Sequence, residues 1–143
     1  MTCMHELSST MRTSWHPRPT EREEVAVEVV RITANLTVAD IAAAAPFYRE
    51  VLGLREVEFD LGWVTRLTAP DSGASVQLVS ADATAPAVPA LSIHVVDVDA
   101  AYEEVTALGL DIVHPLTTED WGVRRFLVRA PDGTVVNIVR HAR

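Results

Sequence analysis

One run of landmarks occurs twice in this chain, and that limits the fold more than any other feature. Val38 and Asp40 open a helical stretch that closes at Leu52-Gly53-Leu54, and Val95 and Asp97 open another that closes at Leu108-Gly109-Leu110. The two aspartates stand 57 residues apart and the two glycines 56. Ala69-Pro70-Asp71-Ser72-Gly73 leads into Ala74–Val79, and Ala130-Pro131-Asp132-Gly133 leads into Thr134–Val139, with turn glycines 60 residues apart. A repeat that returns after one whole supersecondary unit marks a duplicated module. It also acts as a ruler, since each position in one half has a counterpart in the other.

Each module reads as strand, helix and three strands. Along Val29–Val38, Ile32, Ala34, Leu36 and Val38 alternate with Arg31, Thr33, Asn35 and Thr37, the period of a strand with two different faces. Asp40 suits the helix N-cap and Gly53 the C-terminal cap. Ile41, Ala44, Ala45, Tyr48, Val51 and Leu52 have helical spacing, with Pro46 expected to disturb the first turn. Strands are expected near 55–60, 63–68 and 75–80. In the second module they are expected near 91–96, 111–115, 123–129 and 134–140, with a helix after Asp97 or Asp99. The organisation is therefore a flexible tail over residues 1–27, modules over 28–80 and 90–143, and a linker over 81–89. The fold class is α+β, two tandem βαβββ modules whose curved sheets share a cleft.

Composition narrows the function. The chain has 143 residues and a net charge of −8, which argues against nucleic acid, because phosphates need a basic footprint. No apolar run approaches the roughly 20 residues of a membrane span, so no membrane partner is expected. The lone cysteine, Cys3, lies in the tail, which leaves no disulfide framework and points to the cytoplasm. All 12 basic residues are arginine; without lysine there is neither Schiff-base chemistry nor a phosphate-loop lysine. There is no nucleophile motif, and no carboxylate pair falls on the expected cleft faces.

V-x-D, a helix holding Phe47-Tyr48, L-G-L, and Pro-Asp-Gly before a last strand together resemble the vicinal oxygen chelate superfamily. That superfamily includes glyoxalase I, extradiol dioxygenases, and fosfomycin- and bleomycin-resistance proteins. The resemblance spans Val29–His141 and holds in both modules. It implies two βαβββ units around a cleft, often within a homodimer. It also implies four symmetric metal positions, seven residues before each capping Asp and four after each turn Gly: Thr33, Ala90, Gln77 and Asn137. The family pattern puts His, Gln or Glu there. Only Gln77 fits, whereas a catalytic metal wants about three imidazole or carboxylate donors. The resemblance is therefore to a metal-free branch, with no metal and no cofactor expected.

The candidate site residues follow from the free strand faces and the loops. His94 is the candidate acid or base. Asn35, Gln77, Ser92 and Asn137 are polar residues on the expected cleft faces, where a buried amide must find a partner. Trp63 and Trp121 offer stacking surfaces, and Arg124 or Arg125 could clamp an anion. His114 and His141 read as structural or solvated. The leading expectation is a protein that binds a small molecule, an antibiotic among the candidates, with the acidic surface suiting a cationic drug such as a bleomycin. Two alternatives stand beside it: a metal-independent isomerase or lyase using His94, and a glyoxalase- or dioxygenase-type metalloenzyme.

Overall fold

The computed structural model describes residues 27–141. The expected tail, apart from Val27, lies outside them. The elements are β1 (Val29–Thr37), α1 (Ile41–Pro46) continuing into a π-helical turn (Phe47–Val51), β2 (Glu56–Asp60), β3 (Val64–Thr68), β4 (Ser75–Val79), β5 (Leu91–Val95), α2 (Val98–Ala107), β6 (Asp111–Thr118), β7 (Val123–Arg129) and β8 (Val135–His141). The order βαβββ occurs twice, as the repeat required. Both helices begin on the expected caps: Asp40 accepts from the Ala42 amide and Asp97 from the Ala100 amide, each at 3.0 Å. Gly53 and Gly109 leave the helices at φ 77° and 74°, a left-handed conformation that costs glycine little.

Pro46 acts on the second half of its helix and leaves the first turn regular. Its nitrogen cannot donate and its ring crowds the preceding turn, so the backbone widens after it. Leu52 N donates to Phe47 O at 3.3 Å and Leu54 N to Tyr48 O at 2.9 Å, reaches longer than an α-helix allows. β6 runs through Pro115 to Thr118, past the expected end at 115, with register shifts on both sides of His114.

All eight strands form one sheet in the order β2-β3-β4-β1-β5-β8-β7-β6. Within each module the first and last strands run parallel, β1 with β4 and β5 with β8. The modules meet where β1 pairs antiparallel with β5, so the two halves join within one chain. The sheet curls tightly. β2 and β8 are five strand steps apart, about 24 Å in a flat sheet, yet the Phe59 and His141 rings lie 6.3 Å apart.

The two faces of the curl differ in chemistry. On the convex side each module has its own core beneath its helix. Leu54, Leu67 and Leu78 pack with Leu36, Ile41 and Tyr48 in the first, and Val95, Val98, Ala101, Phe126, Val128 and Val136 with Tyr102 and Val105 in the second. Phe126 is fully buried, its ring edge-on to Tyr102 at 5.0 Å. Phe126→Ala should therefore cost about 3–5 kcal/mol. Urea unfolding should show the midpoint falling with an unchanged slope; a loss under about 1 kcal/mol would mean that this core does not hold the second module.

Candidate functional site

A chain of buried amides and one hydroxyl lines the floor of the concave face. Gln77 Nε2 donates to Asn35 Oδ1 at 2.6 Å, Asn35 Nδ2 donates to Ser92 Oγ at 2.9 Å, and Asn137 Nδ2 donates to the same oxygen at 3.0 Å. These four residues come from β4, β1, β5 and β8, the four central strands in spatial order. The chain therefore crosses the seam between the modules. All four candidates from the free strand faces converge here.

Of the four positions the repeat picked for a metal, Gln77 and Asn137 join this chain of bonds, whereas Thr33 and Ala90 do not. Asn35 and Ser92 each lie five residues before the capping aspartate, not seven, and are 57 residues apart. Ala90 lies before β5 and is exposed; its carbonyl accepts from the Asn35 amide at 2.9 Å. Thr33 is fully buried one step along β1, facing Ser92 across the seam. The donors of this chain of bonds do not suit a divalent metal. They are two asparagines, a glutamine and a serine, all neutral and already bonded to one another, where a catalytic site wants imidazole or carboxylate. Among the described residues no three His, Cys, Asp or Glu side chains come together as a ligand set.

Above this floor lies a narrow cavity open to solvent at its mouth. Its walls are largely aromatic. Trp63 and Trp121 meet edge-on at 5.2 Å, and Phe59 lies 6.1 Å from Trp121. Trp63 sits in the β2–β3 turn, just before the strand expected to carry it, and Trp121 in the equivalent β6–β7 turn. The duplication thus delivers one tryptophan from each module. His94 is buried in the wall and stacks on His141 at 5.7 Å. His141, expected to be structural or solvated, is a lining residue. Burial lowers the His94 pKa to about 4, and the nearby Arg66, Arg31 and His141 push the same way, so the imidazole is neutral at pH 7.

Arg124 and Arg125 divide as strand alternation dictates. Arg124 faces outward, where its Nε donates to Asp99 on α2 at 2.8 Å, so it is not the ligand clamp that was expected. Arg125 faces the cavity and is buried. Its Nη1 and Nη2 donate to the two oxygens of Asp82, and its Nε donates to Glu119, all at 2.8 Å. Glu119 also meets His114 Nε2 at 3.0 Å, and Thr84 Oγ1 accepts from Arg125 and from Trp121 Nε1. Asp82, Thr84 and Pro89 all belong to the segment expected to be a simple linker. Asp82 and Pro89 line the cavity, so the linker forms part of the wall. Asp82 is also the cavity carboxylate that the strand faces alone did not anticipate.

Sequence reasoning missed Arg66, Phe59 and Asp82. A signal for the first was available. In β3 Leu67 packs in the convex core, so Val64 and Arg66 must face the other way, as they do. Phe126 in its core identifies Arg125 over Arg124 by the same parity.

One eight-stranded curled sheet made of two βαβββ units, with four symmetric inward positions at its seam, defines a vicinal-oxygen-chelate type of protein. The chain belongs to the Glyoxalase/Bleomycin resistance protein/Dioxygenase superfamily, whose family model matches residues 29–138. It is similar to the solved structure of a superfamily member from Vibrio splendidus 12B01 at 22% identity, with 80% of this chain and 99% of that one covered and a TM-score of 0.56. It is also similar to the E323L mutant of homoprotocatechuate 2,3-dioxygenase from Brevibacterium fuscum, at 22% identity and TM-score 0.61, over 89% of this chain and 36% of that one. A structure described as an NAD-dependent benzaldehyde dehydrogenase from Legionella pneumophila aligns at 19% identity and TM-score 0.64, over 78% of this chain and 99% of that one. At these identities the likeness is one of fold. No curated protein matches the chain. Among the described residues no helix is long and apolar enough to cross a membrane.

Two measurements follow from the site. Arg125→Met leaves Asp82 and Glu119 buried without their cation and should cost about 3–5 kcal/mol in urea unfolding. Arg124→Met should leave the midpoint unchanged, and equal effects would refute the division of roles. The second concerns acid. A histidine whose folded pKa is depressed to about 4 binds its proton more readily in the unfolded chain. Its contribution to stability is full above the unfolded value near 6.5 and declines as pH falls toward 4. His94→Gln should flatten that part of the stability–pH curve; an unchanged slope would mean that the ring titrates normally.

Proposed function

We propose that this protein binds a small planar molecule in the cavity between its two modules, without a catalytic metal, with antibiotics among the ligands to test. The observation that carries this reading is the combination of floor and walls. The four inward side chains at the seam, Asn35, Gln77, Ser92 and Asn137, are neutral and bonded to one another. Above them Trp63, Trp121, Phe59 and His94 surround a concave space, the form taken by small-molecule sites. Within the site, Trp63, Trp121 and His94 contact the ligand directly, while the amide floor fixes the distance between the modules. Arg124 has no part in it.

A second reading has one observation in its favour. His94 Nε2 is buried with no hydrogen-bond partner, and a neutral imidazole facing a substrate can accept a proton. A metal-independent isomerase or lyase would use it in that way. His94→Ala should then abolish turnover while ligand affinity changes little.

Titration of chelator-treated protein, followed by tryptophan fluorescence, tests the first reading. Planar aromatics and candidate antibiotics should quench or shift the emission with micromolar affinity. Trp63→Phe and Trp121→Phe should each weaken binding by about 1–3 kcal/mol. Binding that appears only when a divalent metal is restored, or no ligand tighter than millimolar, would overturn the reading.

A further inference from the structure

The cavity wall has polar groups that the protein leaves unsatisfied. Among the described residues five buried side-chain atoms lack a hydrogen-bond partner, and three of them, Arg66 Nε, His94 Nε2 and Asn137 Oδ1, belong to residues lining this one cavity. Buried polar groups are ordinarily paired, so a cluster of unpaired ones around a concave space indicates what the occupant must supply. Arg66 stands out among them. It is only 4% exposed, and its guanidinium lies over the Phe59 ring at 5.4 Å. Its one carboxylate neighbour, Glu58, is 3.7 Å away and is itself shared with Arg31 at 3.4 Å. Two guanidiniums therefore share one carboxylate, which leaves an excess positive charge at this end of the cavity.

At the other end Arg125 faces two carboxylates, Asp82 and Glu119, so the excess positive charge is local to Arg66. The net charge of −8 belongs to the chain as a whole and does not set the charge beside Arg66. The depressed basicity of His94, due first to burial and then to Arg66 and Arg31, reports the same positive field. A neutral imidazole can offer Nε2–H to an anion beside the guanidinium.

We propose that the ligand is a planar aromatic acid in its ionised form, its anionic group held by Arg66 and His94 and its ring between Trp63, Trp121 and Phe59. This rests on the small-molecule reading above and narrows it to one class. An ionised carboxylate accepts from a guanidinium through two parallel bonds, and desolvation inside the cavity strengthens them. The aromatic wall holds the ring but does not distinguish acid from amide. Arg66 provides the discrimination.

Three probes that share one ring system separate these contributions: 2-naphthoate, 2-naphthamide and 2-naphthylmethylammonium, titrated calorimetrically at neutral pH and about 0.15 M salt. The naphthoate should bind roughly tenfold or more tightly than the amide, and the ammonium most weakly of the three. Arg66→Met should remove the preference for the acid, bringing acid and amide to similar affinity. Arg66→Lys, which keeps the charge but loses the fork, should retain part of it. Equal affinity for acid and amide in the native protein would overturn the anionic assignment and leave the small-molecule reading standing. So would a preference that survives Arg66→Met. A tighter-binding ammonium would overturn it in favour of a cationic ligand. If none of the three binds, the aromatic-acid assignment falls, and the small-molecule reading is decided by the broader titration with antibiotics.

Discussion

Everything functional in this molecule depends on the antiparallel pairing of β1 with β5. Among the described residues it is the one place where the two modules share backbone hydrogen bonds, with Thr33 opposite Ser92 and Ala34 opposite Leu91. The pairing turns two four-stranded half-sheets into one curled sheet and puts the inward positions of the two modules side by side. The Gln77–Asn35–Ser92–Asn137 chain then reinforces the seam from the concave side. A buried amide without a partner would cost a few kcal/mol, so these residues hold the register as well as line the floor.

A consistent alternation follows from the seam outward. On β4, β5 and β8 the residues facing the convex cores are Val76 and Leu78, Ile93 and Val95, and Val136 and Ile138. Their neighbours Gln77 and Val79, Ser92 and His94, and Asn137, Val139 and His141 face the cavity. The convex face is apolar because a helix covers it. The concave face can be polar because its groups bond across strands or remain for a ligand. The cavity charge is also local: Arg125 is neutralised by the linker and by Glu119, whereas Arg66 is only partly neutralised by a carboxylate it shares. The neutral side chains of the floor thus hold the seam together, while Arg66 and His94 keep unpaired polar atoms in the same cavity wall.

Much of this was legible in the sequence because the repeat is written in helix caps and turns, where a few residues determine the backbone. Asp40 and Asp97, Gly53 and Gly109, and the two Pro-Asp turns define both modules; strand parity selected Asn35, Ser92 and His94, and the count from the turn glycines selected Gln77 and Asn137. The count from the caps picked Thr33 and Ala90, which stand outside the floor: Thr33 is buried beside it and Ala90 is exposed before β5. Arg66 escaped notice because all of β3 is buried on both faces, which hides the alternation of polar and apolar residues that reveals a cleft face. Asp82 and Thr84 escaped because their Ala- and Pro-rich surroundings look like a spacer, and only the tertiary fold brings them to Arg125, 43 and 41 residues away.

The central claim is that the duplicated scaffold keeps its cleft and uses it to bind a molecule without metal. The most direct measurement is a crystal structure of the chelator-treated protein soaked with a planar aromatic acid, with anomalous data collected for transition metals. The account predicts ring density between Trp63 and Trp121, an anionic group at Arg66, and an unbroken Gln77–Asn35–Ser92–Asn137 chain with no anomalous peak. An anomalous peak coordinated by those four side chains, or a ligand bound elsewhere while the cavity holds only water, would contradict it.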